Sequence, residues 1–247
     1  MPAGGADQAA TPLPRTLSLT LAGRSVAVDV YRPARTPRGA VVLSHGFTRS
    51  RTTLGAHAAA LAGAGVLALT PDLPYTFDFR RNAQGLAELV AMLRAGASAP
   101  GAGSAAWGGP VDRVVLVGFS AGALSSLLAA GTPGVVGYIG LDAFDRAERA
   151  AADGGNTALG LEHARTLKTE ALLLRAPPSN CNAQAVSAPW GTALPALLAD
   201  TVIEGATHCD FESPTDWMCR LACGDADPAR QARVRAALLQ AVRRWLP

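Results

Sequence analysis

Residues 114–122 read VVLVGFSAG and run on into ALSSLLAA. Four aliphatic residues, a Gly-Phe-Ser-Ala-Gly turn and a helix-forming stretch follow one another without a break. A buried strand that turns sharply into a helix through G-x-S-x-G is a nucleophile elbow. Ser120 occupies the strained corner. Gly118 and Gly122, two positions to either side, remove side chains that would collide where strand and helix cross. The hydroxyl is thereby pushed above the sheet, beside the positive end of the following helix. A Gly/Ser-rich structural turn is the competing reading, since Gly, Ser and Ala are abundant here. The strand before the turn and the helix after it favour the nucleophile.

A buried strand of this kind needs neighbours, and the sequence supplies them. Thr16–Leu21 and Ser25–Tyr31 alternate apolar and polar around Ala22-Gly23-Arg24, the pattern of an antiparallel hairpin at a sheet edge. Ala40–Leu43, Val66–Leu69, Val135–Leu141, Glu170–Leu174 and Thr201–Ile203 read as further strands. Between them Thr53–Ala64, Arg80–Ala95 and a stretch near Leu194–Ala199 have helical character, with a loose Gly/Ala/Ser/Pro loop over Gly96–Pro110. Pro228–Trp245 predicts a closing amphipathic helix with Val234, Leu238, Ala241 and Trp245 inward and its arginines solvated. Strands alternating with helices predict an α/β chain with a mainly parallel central sheet covered on both faces. The expected organisation is a flexible leader over 1–15 and one domain over 16–247.

Composition narrows the partners. The formal net charge is +3 and the arginines are scattered, with Lys168 the single lysine, so no basic stripe suggests nucleic acid. No apolar run approaches the ~18 residues of a membrane span. The leader has neither a charged start nor an apolar segment and does not read as a signal peptide. It suits a native cytoplasmic start or the remainder left by cleavage. The four cysteines, Cys181, Cys209, Cys219 and Cys223, fall in the last quarter of the chain. One or two disulfides, in any of three full pairings, or buried free thiols are the readings; zinc is disfavoured without C-x-x-C spacing. Disulfides would favour a secreted or periplasmic location over the cytoplasm. A monomer is expected.

A serine hydroxyl needs a base, and the base needs an orienting carboxylate. After an elbow of this type the acid and then the histidine follow in chain order. Two histidines lie beyond Ser120. His163 sits in the helix-like Leu161–Arg165, where a surface or capping role is expected. His208 follows the last predicted strand, at the carboxyl end where α/β sheets gather their chemistry, and is the expected base. The strand Val135–Leu141 runs into Asp142, which is the expected acid, with Asp145 as the runner-up and the better helix cap. The N–H groups of Ala121 and Phe47 are the expected oxyanion donors. His45 reads as a loop-stabilising residue and His57 as surface or satisfied core. Phe144, Trp190, Phe211 and Trp217 fall in predicted carboxyl-end loops and are candidate apolar walls for a substrate. About 27 residues separate Asp142 from the next strand, so little or no lid is expected.

With these residues assembled, the chain from about Ser25 to its end resembles the esterases of the α/β-hydrolase fold. The segment SHGFTRSRTTLGAHAAALAGAGVLALTPD is similar to the dienelactone-hydrolase, cutinase and polyester-hydrolase group, whose H-G-F or P-G-F loop supplies an oxyanion donor. That group places its acid near the positions corresponding to Ala176–Asn182, where this chain has no carboxylate. Gly140-Leu141-Asp142 instead resembles the G-L-D of chlorophyllases. Cys181-Asn182 and Thr207-His208-Cys209-Asp210 also echo chlorophyllase segments, although those enzymes carry an arginine where Ala121 stands. The resemblance implies a serine esterase acting on hydrophobic, polyester-like or chlorophyll-like esters through Ser120, His208 and Asp142, with no metal or organic cofactor. A binding protein on the same fold that has lost turnover is the alternative.

Overall fold

The computed structural model describes residues 12–96, 107–149 and 156–247. Most of the expected leader and of the Gly96–Pro110 loop lies outside these residues; Arg15, placed at the leader's end, already belongs to the first strand. β1 (Arg15–Leu21) and β2 (Arg24–Tyr31) pair antiparallel across a tight turn. Ala22 and Gly23 take φ of 47° and 78° there, the left-handed pair that matches the twist of a two-residue hairpin. β3 (Ala40–Ser44), helix α1 (Gly55–Gly63), β4 (Leu67–Pro71) and α2 (Phe79–Ala95) follow. Then come β5 (Val114–Phe119), α3 (Ala121–Ala129) and β6 (Val135–Leu141).

Beyond β6 the chain makes a small antiparallel pair, β7 (Ala147–Arg149) and β8 (Asn156–Ala158), that the sequence pattern did not reveal. α4 (Leu159–Ala164) leads to β9 (Ala171–Arg175). The helix expected near Leu194–Ala199 is displaced. A four-residue α5 (Trp190–Ala193) ends before Pro195, and Leu197–Val202 forms strand β10. Proline cannot donate into a helix, and pairing to β9 overrides the helical propensity of the Ala/Leu run. α6 (Trp217–Cys223) and α7 (Pro228–Val242) complete the chain.

The main sheet has eight strands in the order β1-β2-β4-β3-β5-β6-β9-β10. β2 runs antiparallel to β4, and from β4 to β10 every pairing is parallel. Its period-two alternation divides the core. Val41, Leu43, Val115, Val117, Phe119, Ile139 and Leu141 face α1 and α7, whereas Val42, Val114 and Leu116 pack with α2 and Tyr138 with α3. In α7 the residues predicted to point inward, Val234, Leu238 and Ala241, are buried; the helix stops at Val242, short of the expected Trp245, which is buried in the turn beyond it. Aspartates cap the helices that frame the rim: Asp78 accepts from Arg81 N–H, Asp216 from Met218 N–H, and Asp227 from Arg230 N–H. Parallel strands put the segments after β3, β4, β5, β6, β9 and β10 at one edge. Every candidate site residue lies on one of those segments.

Candidate active site

Ser120 stands between β5 and α3 at φ 52°, ψ −120°, a conformation a non-glycine residue holds only when its surroundings enforce it. A Cβ on Gly118 would overlap Ala123 Cα and the Gly122 carbonyl, and one on Gly122 would overlap the carbonyl oxygens of Ser44 and His45. The glycines therefore let α3 close onto the ends of β3 and β5 and hold the corner sharp. Two backbone bonds fasten it to the next strand. Ser120 N–H donates to Leu141 O at 3.0 Å, and Phe144 N–H donates to Ser120 O at 3.1 Å.

Those bonds bracket Asp142, itself at φ 37° and buried. Its carboxylate is fully engaged. Oδ2 lies 2.6 Å from His208 Nδ1, while Oδ1 accepts from Ala176 N–H at 3.0 Å and from Asn182 Nδ2 at 3.2 Å. The segment after β9 thus contributes no acid but supplies the donors that orient the acid from β6. Asn182 is held in turn, since its Oδ1 accepts from Ser179 N–H and Ala185 N–H. Cys181, its neighbour, is bonded to Cys223.

His208 opens a 3-10 turn over His208–Phe211. Asp210 secures this turn by accepting from Thr207 N–H, Thr207 Oγ1, Asp227 N–H and Arg230 Nε. Burial pushes the Asp210 carboxyl up, but the bonds from Arg230, Asp227 and Thr207 together outweigh it and hold the group below the usual range. Cys209 pairs with Cys219, fixing the turn to α6. The imidazole lies on Phe119 with ring centroids 4.7 Å apart. Nδ1 is committed to Asp142, which leaves Nε2 as the second ring nitrogen.

The loop after β3 covers the serine. A Cβ on Gly46 would sit 3.0 Å from the Phe119 ring and 3.4 Å from Ser120 Cβ, which places Phe47 next to Ser120. Ala121 N–H is a first-turn donor of α3 and has no intrahelical acceptor. His45 anchors the loop. Leu73 N–H donates to its Nε2 at 2.9 Å, so Nδ1 carries the proton and donates to Gly46 O at 2.8 Å. Burial lowers its pKa and keeps the ring neutral. Arg49, on the same loop, pairs with the buried Glu212 at 2.7 Å and tethers the loop to the segment after His208. Burial pushes the Glu212 carboxyl up despite this partner.

A cleft of about 420 Å³ opens over Ser120 and His208. Five phenylalanines line it, Phe47, Phe77, Phe79, Phe119 and Phe144, with Arg49, Arg146 and the Cys181–Cys223 bridge. Phe144 is therefore at the site, but three other expected walls are not. Trp190 is fully buried and donates Nε1–H to Asp145, and Phe211 is core, its carbonyl taking His57 Nε2 at 3.1 Å. Both are too large and apolar to stay in the loops where their sequence neighbours suggested they belonged. Trp217 is exposed on the outer face of α6. Asp145 accepts from Arg146, Gly160 and Leu161 N–H as well as Trp190, and so staples β6 to α4 and α5, away from His208. His163 borders a separate depression with Arg80 and Thr132. Phe77, Phe79, Asn182 and Arg146 were not singled out as site residues from sequence. Two sequence cues do exist: Phe77 and Phe79 follow the carboxyl end of β4, and Asn182 belongs to the Cys181-Asn182 pair that resembles chlorophyllases.

Sulfurs of Cys209, Cys219 and Cys223 cluster within 4.8 Å, but all are disulfide-bonded and none offers a thiolate. Among the described residues no helix is long and apolar enough to cross a membrane.

No family model and no curated protein matches this chain. Solved structures do. A dienelactone hydrolase from Anabaena variabilis ATCC 29413 superposes with TM-score 0.69 at 16% identity, covering 96% of this chain and 100% of that one. The esterase domain of a Rhodothermus marinus protein gives 0.65 at 17%, covering 95% and 100%. Est1E from Butyrivibrio proteoclasticus gives 0.60 at 16%, covering 93% and 99%. The shared architecture is the α/β-hydrolase fold.

Proposed function

We propose, on this α/β-hydrolase fold, that the protein is a serine hydrolase of carboxylic esters. The observation that carries the reading is the 2.6 Å contact between Asp142 and His208 in the cleft that Ser120 also lines. Ser120 Oγ attacks the ester carbonyl as His208 Nε2 takes its proton. Asp142 fixes the imidazole tautomer and stabilises its charge, and the Phe47 and Ala121 N–H groups receive the tetrahedral oxyanion. His208 then returns the proton to the leaving alcohol, and water, activated by the same base, releases the acid from Ser120. This sequence of steps requires no metal or organic group.

The phenylalanine walls favour a hydrophobic acyl or aromatic ester, or a polyester segment, over a small polar one. Two disulfides suit an oxidising compartment, secreted or periplasmic. The protein is read as a single domain over the described residues beyond the leader. A fluorophosphonate probe tests the assignment: covalent labelling is expected in the native protein and lost in Ser120→Ala. Folded protein that resists labelling would instead be the binding protein on this fold. A series of p-nitrophenyl esters of rising chain length, run beside a polyester film and chlorophyll, reads out the substrate type.

A further inference from the structure

The cleft is apolar but not neutral, and its two arginines differ. Arg49 is discharged: Glu212 lies 2.7 Å from its Nε and Asp216 3.7 Å from NH1. Arg146 is not. Its guanidinium carbon lies 5.8 Å from the ring centroids of both Phe77 and Phe79, two residues of the same wall, and NH1 donates to Phe77 O at 3.4 Å. Among the described residues no carboxylate pairs with it. The obvious candidate, adjacent Asp145, is unavailable, because its two oxygens already accept three backbone N–H groups and the Trp190 indole.

We infer that Arg146 is the recognition site for an anionic group, a carboxylate, on the substrate. The inference rests on the esterase reading and narrows it from any hydrophobic ester to one that also carries an acid, such as the half-ester of a dicarboxylic acid. Arg146 is exposed at the cleft rim, where two aromatic rings attract its guanidinium by cation–π interaction. That preorganises a planar fork which takes a carboxylate through two parallel hydrogen bonds. A neutral diester offers this fork no carboxylate. Phe47, Phe77 and Phe144 supply apolar surface for the part of the molecule between the scissile carbonyl and the charge. Phe47 and Phe77 already meet at 5.1 Å between ring centroids and form one continuous face. Cleavage of a half-ester at Ser120 yields a free dicarboxylic acid and an alcohol, so the reaction that supplies this substrate is a preceding single ester cleavage of a diester or polyester.

Methyl half-esters of succinic, adipic and terephthalic acids are compared with the matching dimethyl esters, by initial rates in a pH-stat. The ratio of kcat/KM for the preferred half-ester to that for its diester is expected to fall about 10- to 100-fold in Arg146→Gln and to recover partly in Arg146→Lys. Added salt should raise the half-ester KM in the native protein and not in Arg146→Gln. Equal losses on both ester types, or no loss on either, would overturn the inference while leaving ester hydrolysis standing. A second measurement is independent of turnover: calorimetric titration of Ser120→Ala with the half-esters. Binding that disappears in Ser120→Ala/Arg146→Gln supports the anion site even if no ester is cleaved, and binding indifferent to Arg146 refutes it.

Discussion

Replacing Asp142 with Asn leaves the volume of the side chain nearly unchanged and removes one oxygen and one charge. Oδ1 keeps its bonds to Ala176 N–H and Asn182 Nδ2, so the new amide nitrogen falls where Oδ2 now meets His208 Nδ1 at 2.6 Å. An NH2 group there donates. It forces the imidazole to accept at Nδ1 and carry its proton on Nε2, the nitrogen that has to receive the proton of Ser120. The buried charge that stabilises the imidazolium is lost as well. Together these effects are worth a factor of about 10⁴ in kcat, roughly 5.5 kcal/mol of barrier, with little change in stability. Asp145→Asn reverses the pattern. Whichever way that amide turns, its NH2 faces two of the four donors bound by Asp145, and each buried mismatch costs about 1–3 kcal/mol. Its melting temperature should drop by at least about 5 °C, while turnover per folded molecule changes little. Hydrolysis of p-nitrophenyl acetate and thermal melts by circular dichroism measure both quantities. A folded Asp142→Asn protein retaining more than about a tenth of native kcat would refute the reasoning, and so would a larger catalytic loss at Asp145.

The Cys181–Cys223 bridge closes 42 residues of chain, so its removal in a Cys181→Ser/Cys223→Ser variant should cost about 4 kcal/mol in urea unfolding. Turnover should fall too, because Asn182 loses its anchored neighbour. Thiol titration of the urea-unfolded native protein without reductant should find no reactive cysteine, and four would contradict both bridges. His57, fully buried with Nε2 on Phe211 O, has its pKa lowered to about 4 by burial. The unfolded chain binds that proton near 6.5, so protons favour unfolding as the pH falls from 6.5 to 4, and stability declines by about 3 kcal/mol over that window. His45, lowered in the same direction, adds to the decline. His57→Gln keeps a donor for Phe211 O and should flatten the pH dependence of the unfolding midpoint; an unchanged slope would remove His57 as its source.

Local pattern alone determined the strand–turn–helix around Ser120, because the apolar run, the two glycines and the helix-forming tail are contiguous and each must be what it is for the corner to close. The same holds for the β1–β2 hairpin and for the inward face of α7, where period and turn chemistry act over a few residues. The order in which Asp142 and His208 follow Ser120 was also legible. Their meeting was decided by the sheet, since β5, β6, β9 and β10 bring to one edge segments that are up to 88 positions apart. Tertiary packing alone decided the rest. It drew Trp190 and Phe211 into the core, where their area is worth most, turned Leu197–Val202 into a strand by offering β9 as a partner, and tied up the Asp145 carboxylate. Only the last of these explains why Arg146 has no carboxylate partner among the described residues: Asp145 is its sequence neighbour, and four donors from α4, α5 and the backbone already occupy those oxygens.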